Sequence, residues 1–580
     1  MSTAGFIGRV GGLAVALGVG AAAFNGAVAW ADSADSGASA THAGSARSVS
    51  GTAGATTGPA NKGPAKAASA RTRPSTAVRT RSTTIQTVTS AAPTAASSTP
   101  ATPDTPVVPA DSSLELAALA YSRRDTGVSA RPAGAVSLAP EASVQAVTTQ
   151  NTALIMGPSG VPIPKPSYIQ SVFNLYIKPS YPDAIPFQLD TPEGLYPITG
   201  VKSLPLNVSV SQGLEILSAA IAEQIAAGNT ATVFGYSQSA IIASLIMSQL
   251  PASTPVEFVL VGNEMNPNGG LLSRFPGLQL PSLGLNFYGA TPPNAFPVTN
   301  YTLEYDGFAD FPRYPLNVVS VLNAGLGIVF VHTNYAKLTQ EQVDQAIPLP
   351  TSSPTQHYYI IPTEDLPLLA PLRLVPVIGK PLADLVQPSL RVIVNLGYGD
   401  PKYGWSTEGY ANEQVPFGIV PDVDWGEVVQ LLAAGVAQGV KDFGTDVGPG
   451  GMMQHELAAL RLPAPGAIAL PTPTDAITDV KNLTTDIAYV VSRGAASLYA
   501  AALPTADIVN AIVTMLPAYD VALFLDGITQ ALRGDVINGL INAVGRPLAA
   551  NVGLVTTSAL IELLVIGQAV EGLFGKETNV

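Results

Sequence analysis

The 580-residue chain carries 47% hydrophobic and only 12% charged residues, with a formal net charge of −13. That acidity speaks against nucleic acid as a partner, because phosphate neutralisation requires clustered Lys and Arg. The absence of Cys excludes disulfides, thiolate metal sites and thiol nucleophiles, and four His leave little for a multi-histidine metal centre, so the chain is read as using no cofactor.

Arg9 precedes an uncharged apolar run that ends in Ala29-Trp30-Ala31, a small-x-small cleavage pattern, so residues 1–31 read as a secretory signal peptide, or failing cleavage as an anchor. Either reading exports the rest of the chain, to the cell envelope or beyond it. Residues 32–148 are expected to be a linker. Ser, Thr, Ala, Gly and Pro dominate up to about residue 112, a composition unable to bury a core, with a small basic cluster at Arg71, Arg73, Arg79 and Arg81. A surface so poor in charge suits peripheral association with lipid.

From residue 149 the texture becomes that of a folded domain, extending to 412. Strand patterns are expected at ALIMG, TATVFG, VEFVLVGN, TNYTLEYD, HYYIIP and LRVIVNLGYGD. Helical spacing is expected over 209–227, with a Ser cap and Gly228 as its stop, and again over SQSAIIASLIMSQL. Such alternation predicts an α/β fold with a mostly parallel sheet covered on both faces. Residues 413–580 carry few strand signals and are expected to form a mainly helical C-terminal region. Glu562 interrupts the last apolar run, which is therefore not read as membrane-spanning.

The chemistry-bearing motif is Gly235-Tyr236-Ser237-Gln238-Ser239, placed between a strand and a helix. This is the context of a nucleophile elbow, whose tight turn demands small residues two before and two after the nucleophile. A serine needs a base to take its proton. His42 lies in the linker, leaving His332, His357 and His455, of which His332, after an apolar run and opening a polar loop, is preferred. With His332 as base, the orienting acid comes from Glu257, Glu264, Glu304, Asp306 and Asp310. Asp306, at the C-terminal end of a strand, is preferred over Asp310. Oxyanion donors are expected from the backbone N–H of Gln238 and from Ser159 in the Gly-Pro-Ser-Gly loop after the first strand.

These motifs, together with GPSGVPIP, EYDGFADFPRYPLN, VHTNY, YYIIPTEDLPLLAPLR and VNLGYGDP, make the segment from about Leu154 to Pro401 resemble the PE-PPE domain of mycobacteria, a cutinase-like serine hydrolase. The resemblance implies an α/β-hydrolase fold, an elbow at Gly235, Ser237 and Ser239, and a triad of Ser237, Asp306 and His332. It implies an esterase acting on acyl or lipid esters, and in some relatives acyl transfer onto trehalose-based lipids. A non-catalytic envelope or host-interaction protein on the same scaffold is the remaining alternative. Pro158 and Ser159 depart from the Gly and Thr expected in the oxyanion loop, and Pro158 removes one N–H donor.

Overall fold

Runs of β-branched and aromatic residues broken at short intervals by helices give a central sheet in the computed structural model, which describes residues 149–293, 296–459 and 473–574. The expected signal peptide and the linker as far as residue 148 lie outside the described residues. The sheet strands are β1 (Asn151–Ile155), β2 (Ile185–Gln188), β3 (Thr230–Tyr236) and β4 (Val256–Val261), then β7 (Val298–Leu303), β8 (Ile347–Leu349) and β9 (Gln356–Ile361). β5 (Gln279–Leu280) and β6 (Leu285–Asn286) form a separate hairpin. The sheet order is β2-β1-β3-β4-β7-β9-β8. All neighbours are parallel except the edge strand β8, which runs against β9.

The principal helices are α1 (Pro166–Val172), α2 (Leu206–Ala226), α3 (Gln238–Ile246), α4 (Val318–Phe330), α5 (Gly379–Asn395), α6 (Trp425–Val447), α7 (Pro473–Leu532) and α8 (Val536–Phe574). Alternate strand residues point to opposite faces. Val233, Phe258 and Leu260 join the core under α2 and α3, while Phe234, Val259 and Val261 join the second core with Phe173, Tyr176 and Tyr335. A mostly parallel sheet buried on both faces is thus the architecture, as expected for an α/β hydrolase.

Two expectations are corrected. LRVIVNLGYGD is not a strand: Leu390 to Asn395 complete α5, which opens at Gly379 and contains Pro388. Val392, Ile393 and Val394 have strand propensity, but the helix is packed on two sides. Ala383, Leu390 and Val394 meet Tyr305 and Tyr398 on one side, and the backbones of Leu385 and Ser389 approach Gly439 and Gly435 of α6 on the other. Tertiary burial overrides local propensity there. The helix expected from Ser209 begins a turn earlier, at Leu206, capped by the extended Pro205 rather than by serine; Gly228, at φ 79°, ends it as expected.

The C-terminal region is helical among its described residues, and the described residues of the chain belong to one compact unit. α7 and α8 form an antiparallel pair laid along the α/β domain. Tyr196 donates to Asp507 of α7 at 2.6 Å, Ser282 donates to the Asp507 carbonyl at 2.7 Å, and Gln568 of α8 donates to the Ile198 carbonyl at 3.3 Å. Leu560 of α8 fills the space left by the missing side chain of Gly325 in α4. Three stretches, Val318–Lys337, Ala488–Leu532 and Val536–Gly572, are long and apolar enough to cross a membrane. The last of these includes Glu562, which accepts a hydrogen bond from Thr505.

Candidate active site

β3 ends at Tyr236 and α3 starts at Gln238, so a single residue, Ser237, makes the bend. Its φ of 58° and ψ of −125° are costly for a residue with a side chain, and the surrounding contacts hold it there. A Cβ on Gly235 would lie 2.6 Å from the Ser239 carbonyl and 2.7 Å from the Ala240 Cα, which is why the position two before the serine has none. Ser239 tightens the turn further, its hydroxyl accepting from the Tyr236 N–H at 2.8 Å.

Asp306 and His332 meet next to this bend. His332 Nδ1 is 2.8 Å and 2.9 Å from the two carboxylate oxygens of Asp306. Asp306 is further fixed by the Tyr335 hydroxyl at 2.8 Å and the Phe308 N–H at 3.0 Å. With Nδ1–H given to the carboxylate, Nε2 is the acceptor of the ring. It is buried and has no hydrogen-bond partner among the described residues. Burial disfavours the imidazolium, but the Asp306 carboxylate, its hydrogen bond and the nearby Glu264 outweigh that and raise His332 above its ordinary value. Tyr236 donates to the His332 carbonyl, and Phe308 stands edge-on to the imidazole at 4.9 Å.

The pairing depends on a close backbone approach. α4 runs directly into the 3₁₀ turn His332–Lys337, so His332 follows a helix and opens a short helical turn where a polar loop was expected. Gly327 of that helix lies against the turn carrying Asp306, where a Cβ would sit 1.9 Å from the Tyr305 carbonyl.

Asp310 is turned elsewhere. It accepts from the Tyr305 N–H at 3.0 Å and lies within electrostatic reach of the buried Arg274, whose value burial lowers to about 10. Burial also raises Asp310 well above the carboxylate range. Glu304 accepts from the Thr363 and Gly404 N–H groups. His357 is exposed at the N-terminal end of β9, the end of the parallel sheet opposite the bend, and His455 is exposed in the helix Met452–Ala459.

The Gln238 N–H opens α3 and has no acceptor within the helix. Its side chain is buried and fastened, accepting from the Ser159 hydroxyl at 3.2 Å and donating to Ser209 at 2.6 Å. Ser159 and Gln238 are therefore brought together, with the loop after β1 tied to the elbow by side chains. Two further residues also belong to this corner: Tyr335, which no motif singled out, and Glu264, available as the acid but not preferred. Tyr335 props Asp306 while accepting from the Leu303 N–H at 2.8 Å, and Glu264 accepts the Ser237 hydroxyl at 3.2 Å. Glu264 stands just beyond the C-terminal end of β4, the same strand-end position that singled out Asp306. Among the described residues no group of three or more His, Asp or Glu is arranged to hold a metal ion.

A serine held between strand and helix above a mostly parallel sheet, with an Asp–His pair contributed from later in the chain, places the protein among the α/β hydrolases. Residues 182–399 match the PE-PPE domain, and the chain is a PE-PPE domain protein of the mycobacterial type. It is 50% identical over 444 residues to the PPE family protein PPE28 of Mycobacterium tuberculosis, covering 73% of this chain and 66% of that one. It is 46% identical over 280 residues to "Esterase PE16" of the same organism, covering 47% of this chain and 51% of that one. "Diacyltrehalose acyltransferase Chp2", also from M. tuberculosis, is 27% identical over 189 residues, 30% of this chain and 51% of that protein. The chain thus spans about half to two thirds of the length of these relatives.

Proposed function

We propose that the protein is an exported serine esterase that cleaves acyl or lipid esters through an acyl-enzyme on Ser237. One observation carries this reading: the Asp306–His332 pair leaves a buried Nε2 without a partner, and the His332 backbone is held by Tyr236, the residue before a serine at φ 58°. In the reaction Ser237 Oγ attacks the ester carbonyl carbon while its proton passes to His332 Nε2. Asp306 keeps the ring in the required tautomer and stabilises the imidazolium. The developing oxyanion is held by the Gln238 N–H and a second donor from the loop at Ser159. Collapse expels the alcohol, which takes the proton from His332, and water then releases the acid by the same steps in reverse. The relative named as an esterase supports this class of reaction.

A second reading replaces water by a sugar hydroxyl as the acyl acceptor. It is favoured by the relative named as a diacyltrehalose acyltransferase and by the burial of the site, with Ser237 2% and His332 6% exposed, since a site poor in water spares an acyl-enzyme for another alcohol. The test is labelling of the purified chain with a fluorophosphonate probe, mapping of the modified peptide, and product analysis on a panel of acyl esters with and without trehalose. Modification of Ser237 with release of free acid supports the esterase. Acylated sugar as the main product moves the assignment to acyl transfer. Absence of labelling leaves only a non-catalytic envelope protein.

A further inference from the structure

Glu264 is a carboxyl in an expensive place. It is 3% exposed, lies in the loop that leaves β4, and its backbone is pinned there by the Leu272 N–H on its carbonyl at 3.1 Å and by Gly270, which has no room for a Cβ against that carbonyl. Its side chain points at the elbow, where Oε1 takes the Ser237 hydroxyl at 3.2 Å. The proton that must reach His332 is therefore directed at Glu264 in this state, and His332 Nε2 goes without a partner.

We propose that Glu264 is a fourth functional residue of the site, which holds the Ser237 hydroxyl in the resting protein and must yield it to His332 before an ester is attacked. The inference rests on Ser237 being the nucleophile. No covalent step is added. The proton stays on Oγ while the hydroxyl swings from Glu264 to His332, and it transfers to Nε2 only as the Oγ–carbon bond forms.

The hold depends on charge, because an ionised carboxylate accepts a hydroxyl more strongly than a protonated carboxyl does. Burial pushes Glu264 up to about 7, opposed by His332 and by the Ser237 hydrogen bond and helped by the Asp306 carboxylate. The charged or titratable groups facing it are His332 and Asp306 across the elbow and Glu193 from the loop after β2. Raising the pH then has two opposed effects: it frees His332 to act as a base, and it ionises Glu264 so that the serine is held more firmly.

The experiment is the rate of fluorophosphonate labelling of Ser237 in the full chain, measured between about pH 5.5 and 9 for wild type, Glu264→Gln and Ser237→Ala. The wild-type rate is expected to rise and then fall on the alkaline side. Glu264→Gln, which keeps an acceptor of the same length but cannot ionise, is expected to rise to a plateau and to exceed wild type about fivefold at the alkaline end. A wild-type rate that stays level to the alkaline limit overturns the proposal without any variant. So does a folded Glu264→Gln, checked by near-UV circular dichroism, that is slower than wild type throughout. Equal labelling of Ser237→Ala overturns the nucleophile assignment and Glu264 with it, whereas Ser237 labelling without an alkaline fall removes Glu264 alone.

Discussion

The corner around Ser237 and the helical pair α7–α8 solve opposite problems. At the elbow polar groups are inside: Ser237, Gln238, Glu264, Asp306 and His332 are all buried, Gln238 bonded to Ser159, Ser237 to Glu264 and His332 to Asp306. Along α7 and α8 apolar groups are outside: Leu498, Val513, Leu532, Ile537 and Val544 are exposed, while Asp507, Asp520 and Glu562 turn to Tyr196, Asn551 and Thr505. In the first region free energy is spent on placing groups that would be more stable in water. In the second two of the polar contacts join the helices to each other, Asp507 fixes the pair to the domain, and the solvent-facing side is left greasy. The comparison teaches that burial alone does not mark importance for folding; what matters is whether a side chain's partners are apolar neighbours or reacting atoms.

If the elbow region is built for chemistry, its variants fold and fail to react. Ser237→Ala and His332→Ala are each expected to lower esterase kcat by at least about 10³-fold with the melting temperature near wild type, measured by ester hydrolysis and thermal unfolding. Full activity in His332→Ala together with loss in His357→Ala would reassign the base. Asp306→Asn, which spoils the tautomer but not the space, is expected to lower kcat by about 10²–10⁴-fold.

Between chemistry and scaffold lies Gly327. Adding a methyl 1.9 Å from the Tyr305 carbonyl forces α4 away from the turn bearing Asp306. Gly327→Ala is expected to cost about 1–3 kcal/mol in denaturant unfolding and to lower kcat as well. In the helical pair, Leu554→Ala at a position 6% exposed is expected to cost about 2–5 kcal/mol, and Leu532→Ser at 83% exposed to stay within about 0.5 kcal/mol.

A separate effect concerns pH. Burial raises Glu193 to about 8, with the Thr191 hydrogen bond opposing the rise and Glu264 adding to it. The folded chain therefore keeps a proton on Glu193 that the unfolded chain has already released above about pH 4.5, so stability falls as pH climbs from there towards 8. Glu193→Gln is expected to flatten that decline, read as melting temperature against pH, by about 1.4 kcal/mol for each pH unit inside the window at most.

Much of this was legible in the residues, for local reasons. Ser237 announces itself because the bend constrains its immediate neighbours, and β3 and α3 flank it in the right order. His332 follows from scarcity, since few imidazoles exist to choose among. Asp306 against Asp310 turned on one strand end, and the His332 hydrogen bond falls to Asp306. The rest depends on groups far apart in the chain. Glu264 has the same strand-end position as Asp306, yet nothing nearby in sequence says that its side chain turns towards Ser237. Tyr335 supports Asp306 from 29 residues away. The helix at Leu390–Asn395 was obscured because Val-Ile-Val suits a strand until Gly435 and Gly439 of α6 let a second helix pack beside it.

The contact at Gly327 also carries a consequence for engineering and descent. Asp306 and His332 sit on either side of a single joint, the Tyr305 carbonyl resting in the notch of α4, so the stretch from Tyr305 to Tyr335 is expected to transfer as one cassette. A graft that exchanges the whole stretch preserves the distance between carboxylate and imidazole. One that splits it, even with every catalytic side chain retained, is expected to leave the two out of step.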